Sequence, residues 1–227
     1  MKDKWHAKSQ YYYQHRMYEE AVNRERVYFT KTSKTVNPRQ EDPFLYIKGE
    51  APILVLAPYA VRYRQKKKTQ VSHEYTGGTV LMLNELLGCS ALTVSKLYGG
   101  DPLNDFPCIY RDRIVAISKE QKLQAAIVLI AAGRESDFLL EIQHPQTNTE
   151  AQEKFMKKIY NQTMEFQQLV SFSQITEDKE NRWLPGFITN QLHVPSLAIK
   201  INRKARVPHQ NGQAYCSMLA LLVQLLQ

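Results

Sequence analysis

Two apolar runs set the frame of this chain. Ala125 to Ala132 reads AAIVLIAA and is closed by Gly133, and Pro52 to Pro58 reads PILVLAP. A short unbroken apolar run between turn residues fits a strand buried on both faces. Elsewhere the period changes. Val80, Leu83, Leu86 and Leu87 give one apolar helix face after Thr76-Gly77-Gly78, with Thr76 the expected N-cap and Gly88 the C-cap. Ala91 to Ser95 predicts a second short strand, then Leu97 to Asp105 a turn-rich loop. Ser118 to Gln124 suggests a short helix, and Phe138 to Ile142 another strand. Glu150 to Phe172 is the longest helical pattern, with Phe155, Ile159, Phe166, Leu169 and Val170 near a 3.6-residue period. Ser196 to Asn202 alternates Leu197, Ile199 and Ile201 as a late strand. Met218 to Leu226 is an apolar helix expected to pack on the sheet. Strands alternating with helices predict an α/β fold, a three-layer α/β/α sandwich around a mixed, mainly parallel sheet.

Residues 1–48 break this pattern. They are charged and rich in tyrosine, and Tyr11, Met17, Ala21 and Tyr28 can share one helix face. They are expected to form an arm packed on a single domain over 49–227, which suits a chain of 227 residues. The net charge of +8 is partly local, at Lys66-Lys67-Lys68 and at Arg203, Lys204 and Arg206. Such a surplus suits an anionic partner, although most charge runs are solvated faces. Cys89, Cys108 and Cys216 make no CxxC pair, so buried reduced thiols are expected. The first ten residues carry no apolar signal core, and no run reaches the ~18 residues of a membrane span. A cytoplasmic protein is expected, for which the sequon Asn161-Gln162-Thr163 has no meaning.

The candidate chemistry is sparse. None of His6, His15, His73, His144, His193 and His209 forms an HxxxH or HxxE pair, so the spacing argues against a zinc site. Asp101 and Asp105 can hold a cation or a basic ligand, but turn chemistry alone accounts for Gly-Gly-Asp-Pro. Ser90, Ser95 and Ser136 lack a nucleophile elbow. Arg62, Arg64 and the three lysines precede the start of the Thr76 helix. Its N–H groups can cradle a carboxylate or phosphate, with arginine as a bidentate clamp. The same residues, with Tyr59 and Tyr63 stacking, could contact nucleic acid, but no recognisable motif supports it.

Several motifs in order resemble the N-formylglutamate amidohydrolase family, in particular its shorter bacterial relatives. They are Pro58-Tyr59-Ala60-Val61-Arg62-Tyr63, Glu74-Tyr75-Thr76-Gly77, Gly99-Gly100-Asp101-Pro102-Leu103-Asn104-Asp105, Leu129-Ile130-Ala131-Ala132-Gly133, Arg134 through Ile142, and Lys200 through Arg206. The resemblance covers roughly residues 50 to 206. It implies a zinc-carboxypeptidase-like hydrolase fold and metal-dependent hydrolysis of N-acyl amino acids.

The departures fall on the chemistry. Where the family carries its two zinc-binding histidines, this chain has Tyr59 and Ala132. Ile130 replaces an aspartate and Lys200 a late glutamate, while Glu74 is kept. One carboxylate cannot hold zinc usefully, and without the metal the attacking water keeps a high pKa. A pseudoenzyme is expected, without cofactor, whose cleft binds an anionic small molecule, peptide or protein partner. Tyr59, Arg62, Arg64, Thr76, Asp105, Arg134 and Arg206 are its expected binding residues, with Glu74 and Asp101 as weak catalytic candidates. The alternative is a diverged amidohydrolase with a relocated site around Glu74, Asp101, Asp105 and His144. A third possibility is an interaction protein that works through the tyrosine-rich arm and basic surface.

Overall fold

The computed structural model describes residues 2–29, 35–38, 40–65, 68–97, 99–105, 107–132, 137–146, 149–175 and 183–227. Strands β1 (Phe44–Ile47), β2 (Ala51–Ala57), β5 (Cys89–Val94), β6 (Ala125–Ala131), β7 (Leu140–Pro145), β8 (Val170–Ile175) and β9 (Ser196–Ile201) form one sheet in the order β1-β5-β2-β6-β9-β7-β8. The four central strands β5, β2, β6 and β9 are parallel. β1 and β7 run antiparallel to their neighbours β5 and β9, and β8 runs parallel to β7. β3 (Tyr63–Gln65) and β4 (Lys68–Gln70) make a separate hairpin, so the basic segment expected as a loop is partly a strand pair.

The continuous apolar runs are buried as their composition requires. β5 is buried throughout and β6 from Ala125 to Ile130. Helix α3 (Thr76–Leu87) lies against β2 and β5 and ends on Gly88, whose φ of 64° suits glycine. Helix α6 (Leu184–Leu192) packs against β6, β7 and β9 and also meets α4 (Ile109–Glu120). Helix α8 (Gly212–Leu226) starts at Asn211, whose side chain accepts from Ala214 N at 2.9 Å. Its chief neighbours are helices: α1 (Lys2–Gln14), α3 and the short α7 (Arg203–Arg206). The result is the expected α/β sandwich with a mixed sheet. No helix among the described residues is long and apolar enough to cross a membrane.

Local expectations need correction in several places. The first segment is two helices, α1 and α2 (Met17–Tyr28), broken at Arg16, which adopts φ 53°. Tyr11 and Tyr28 are exposed, while Trp5, Ser9, Tyr12, Ala21 and Glu25 face inward. Residues 44–47 of the same segment belong to the main sheet as β1. The helix expected at Ser118–Gln124 is the end of α4, whose buried Tyr110, Ile114 and Ile117 set its period. Helix α5 (Glu150–Thr163) stops early, through a single 3₁₀ turn at Met164–Phe166. Val170 and Phe172, expected in that helix, stand in β8. The strand expected at Phe138–Ile142 is shifted to Leu140–Pro145 and so contains His144. The three cysteines are buried and free, and burial pushes the Cys89 thiol up to about 12.

Candidate functional site

In a parallel sheet the carboxyl ends of the strands share one edge, where ligand sites gather. Here that edge carries the segments after β2, β5, β6 and β9, and with them Tyr59, Asp101, Ala132 and Arg206. The resemblance motifs thus converge on one rim. Arg134 lies outside the described residues, as do Lys66 and Lys67; of Arg64 only the backbone is described.

The Tyr59 hydroxyl donates a short hydrogen bond to Asp101 Oδ1. Both side chains are buried. The Tyr63 ring stacks on that of Tyr59, with centroids 3.9 Å apart. Burial, then the bond to Asp101, pushes the Tyr59 phenol far above its ordinary value, so it stays protonated. Asp101 also accepts from Leu103 N at 3.1 Å, Asn104 N at 3.3 Å and Asn104 Nδ2 at 3.0 Å. Its own N–H donates to Asp105 Oδ2 at 2.6 Å. The turn chemistry expected for this loop is present, and both carboxylates take part in it.

His73 completes the rim, and sequence reasoning did not single it out. It follows the hairpin, and its N–H donates to Tyr59 O at 2.7 Å. Its Nδ1 accepts from Ala131 N at 3.0 Å, and its ring meets that of Tyr59 edge-on at 4.7 Å. Burial, then the Arg206 charge, lowers its pKa to about 4, so it is neutral at physiological pH. The end of β6 that reads as blank in sequence is therefore covered by an imidazole from another segment.

Arg206, from the last turn of α7, is buried, and its Nη1 donates to Glu74 O at 2.7 Å. Its Nε has no partner among the described residues. Arg62 is exposed on the same rim, and Glu74 is exposed beside Arg206.

Two expectations about this edge are overturned. Thr76 does not cap α3: Tyr75 holds that position at φ 65°, and the fully buried Thr76 donates its hydroxyl to His73 O at 2.7 Å. The cradle foreseen at this helix start already holds a carboxylate. Tyr75 N donates to Glu25 Oε1 at 2.7 Å and Gly78 N to Glu25 Oε2 at 2.8 Å. His144 cannot join Glu74, Asp101 and Asp105. It lies at the carboxyl end of β7, and because β7 is antiparallel to β9 this is the opposite end of the sheet. There it faces Gln174 in the ladder, and the Tyr160 hydroxyl lies 3.4 Å from its Nε2.

The donor set does not fit zinc. A catalytic site takes three His, Glu, Asp or Cys ligands. Among the described residues no three such side chains converge. The phenol at position 59 is spent on Asp101, the methyl group at 132 ligates nothing, and His73 Nδ1 is spent on Ala131. Lys200, at the family's late glutamate, faces Glu141 across β7 and β9 with 3.9 Å between Nζ and Oε2.

No protein-family model and no curated protein matches the chain. Among solved structures it is similar to the gene product Atu2144 of Agrobacterium tumefaciens, with a TM-score of 0.53 and 8% identity over 84% of this chain and 96% of that one. It is also similar to a candidate carboxypeptidase A from Shewanella denitrificans, with a TM-score of 0.50 and 10% identity over 81% of this chain and 60% of that one. The chain thus spans about 60% of the length of that carboxypeptidase-type structure. At such identities the likeness is one of fold, and the fold is the carboxypeptidase-like α/β sandwich.

Proposed function

We propose that this chain is a degenerate relative of the N-formylglutamate amidohydrolases that has lost metal-dependent hydrolysis and acts by binding an anion at the carboxyl edge of its sheet. One observation carries this reading. Of the two expected histidine positions, 59 carries a phenol engaged with Asp101 and 132 only a methyl group, while the imidazole beside them, His73, is engaged with Ala131. A protonated buried phenol offers zinc no anionic oxygen, and no water is activated without the metal. Affinity for an anion is supported by Arg206, a buried guanidinium whose Nε has no partner among the described residues, and by Arg62, exposed in the segment after β2. The ligand class is a carboxylate-bearing small molecule or the end of a peptide or protein.

Metal analysis of the purified protein, with an assay on N-formyl and N-acyl amino acids, tests the loss of chemistry. Substoichiometric zinc and no turnover are expected; stoichiometric zinc with turnover overturns the proposal. Calorimetric titration with N-acetyl amino acids tests the binding. A Kd that rises at least about tenfold in Arg206→Met is expected for loss of a charge-assisted bond. No measurable binding to the native protein removes this ligand class.

A further inference from the structure

The start of α3 is an unusual helix terminus. Its first turn holds no acidic side chain, and its N-cap Tyr75 makes no side-chain capping bond to the helix, its hydroxyl pairing with His209 Nδ1 instead. Two of its free N–H groups, at Tyr75 and Gly78, donate instead to the two oxygens of a single carboxylate. That carboxylate belongs to Glu25 on α2, 50 residues away from Tyr75 in sequence. Glu25 retains only 6% exposure.

A second, independent feature lies beside this helix start. Arg206 is also 6% exposed, and its Nη1 anchors it to the carbonyl of Glu74, next to the N-cap residue Tyr75. Its Nε is buried without a partner among the described residues, and its charge favours the ionised form of Glu25. The surroundings are shaped around α2. A Cβ on Gly77 would stand 2.6 Å from the Phe29 ring, and one on Gly78 2.9 Å from Ala21 O and 3.2 Å from Glu25 Oε2. The Gly-Gly pair that resembles a phosphate cradle in sequence is the space into which α2 fits.

We propose that the start of α3 and Arg206 form a carboxylate-binding site that the chain fills with its own Glu25, so that α2 is a tethered occupant which an external carboxylate must displace. The donors select the ligand class. Two backbone N–H groups at a helix N-terminus, flanked by a guanidinium, suit a planar anion with two oxygens. Tethering gives Glu25 an effective concentration on the order of millimolar, which keeps a weak free carboxylate such as acetate off the Tyr75 and Gly78 amides. The proposal rests on the reading of this edge as an anion-binding cleft and adds its control: the arm withholds part of the site until α2 lifts.

The test uses the full chain with Glu25→Ala and sodium acetate as probe, against sodium chloride at equal ionic strength. Acetate at roughly ten times its Kd should raise the melting temperature of Glu25→Ala by about 3–6 °C relative to chloride. The native protein should show no such difference, and adding Arg206→Met to the variant should abolish it. Equal shifts in the native protein and the variant, or no shift beyond chloride in either, overturn the proposal. Should Glu25→Ala not fold, Glu25→Gln is examined by hydrogen exchange. There α2 should exchange faster than in the native chain, and acetate should slow the Tyr75 and Gly78 amides; unchanged exchange overturns it equally. Failure of the native protein to bind N-acetyl amino acids counts against the anion cleft, whereas a missing acetate response in the variants counts against the Glu25 site.

Discussion

The Nδ1 atom of His73 accepts a hydrogen bond from the backbone N–H of Ala131 at 3.0 Å. This contact fixes the proton of the neutral ring on Nε2, because Nδ1 can accept only while unprotonated. It also closes the carboxyl end of the central strand β6, where the sequence presents only alanines and a glycine.

Long-range proton–nitrogen spectra should therefore show His73 as the Nε2–H tautomer from about pH 5 upward, a unit above its depressed pKa. An Nδ1–H tautomer, or a titration near the ordinary value of 6.5, contradicts the contact. His73→Ala leaves the Ala131 N–H without its acceptor, at a cost of about 1–3 kcal/mol. The urea midpoint measures that loss.

Tyr59 holds the neighbouring strand end through its hydroxyl bond to the buried Asp101. Tyr59→Phe keeps the ring and its stacking on Tyr63 but removes that donor from a carboxylate. The expected loss of stability is about 1.5–3 kcal/mol, the range for a bond to a charged group. In that variant the Tyr63 stack should survive, read by near-ultraviolet circular dichroism. A variant as stable as the native protein would mean that Asp101 is held by its turn alone.

The fold was legible where local pattern and tertiary role agree. β2, β5 and β6 are central parallel strands, and their double burial leaves unbroken apolar runs. α3 was legible because its apolar face and Gly88 terminate together. The α5 boundary was not, since Leu169, Val170 and Phe172 continue a helical period by chance while belonging to a turn and an edge strand. At the site, the resemblance placed Tyr59, Asp101 and Arg206 on one rim. The contacts of Glu25 with Tyr75 and of His73 with Ala131 span 50 and 58 residues, and no local spacing announces them. The antiparallel turn of β7 that removes His144 from the rim is likewise a property of the sheet.

Gly77 faces the Phe29 ring and the Ala60 Cβ, which a new methyl group would meet at 2.6 and 2.8 Å. Ala60 sits in the buried turn after β2, so the Phe29 end of α2 is the element that can yield. Gly77→Ala should cost about 1–3 kcal/mol by overpacking. Hydrogen exchange should rise in 17–29 more than in β6. A uniform increase across both would show that the arm and the sheet open as one unit.

Glu25 and His73 give the protein opposing pH dependences. Burial raises the Glu25 carboxyl from 4.5 to about 7, against the pull of its Tyr75 and Gly78 bonds and of Arg206. Between those values the folded chain keeps a proton that the unfolded chain has lost, so stability falls as pH rises from 4.5 through about 7. His73 is lowered from 6.5 to about 4, so the unfolded chain binds the extra proton and stability falls as pH drops from 6.5 through about 4. In their shared window the two slopes largely cancel, and the native protein should show a shallow profile there. Glu25→Gln removes one of them. Denaturant titrations of that variant should reveal the uncovered His73 slope, with stability rising by up to about one proton's worth per pH unit across that window. The difference between variant and native protein should shift in the variant's favour as pH climbs toward 7 and level off above it. A difference that stays constant with pH would mean that Glu25 is ionised throughout, held by Arg206 and the helix N-terminus more strongly than its burial opposes.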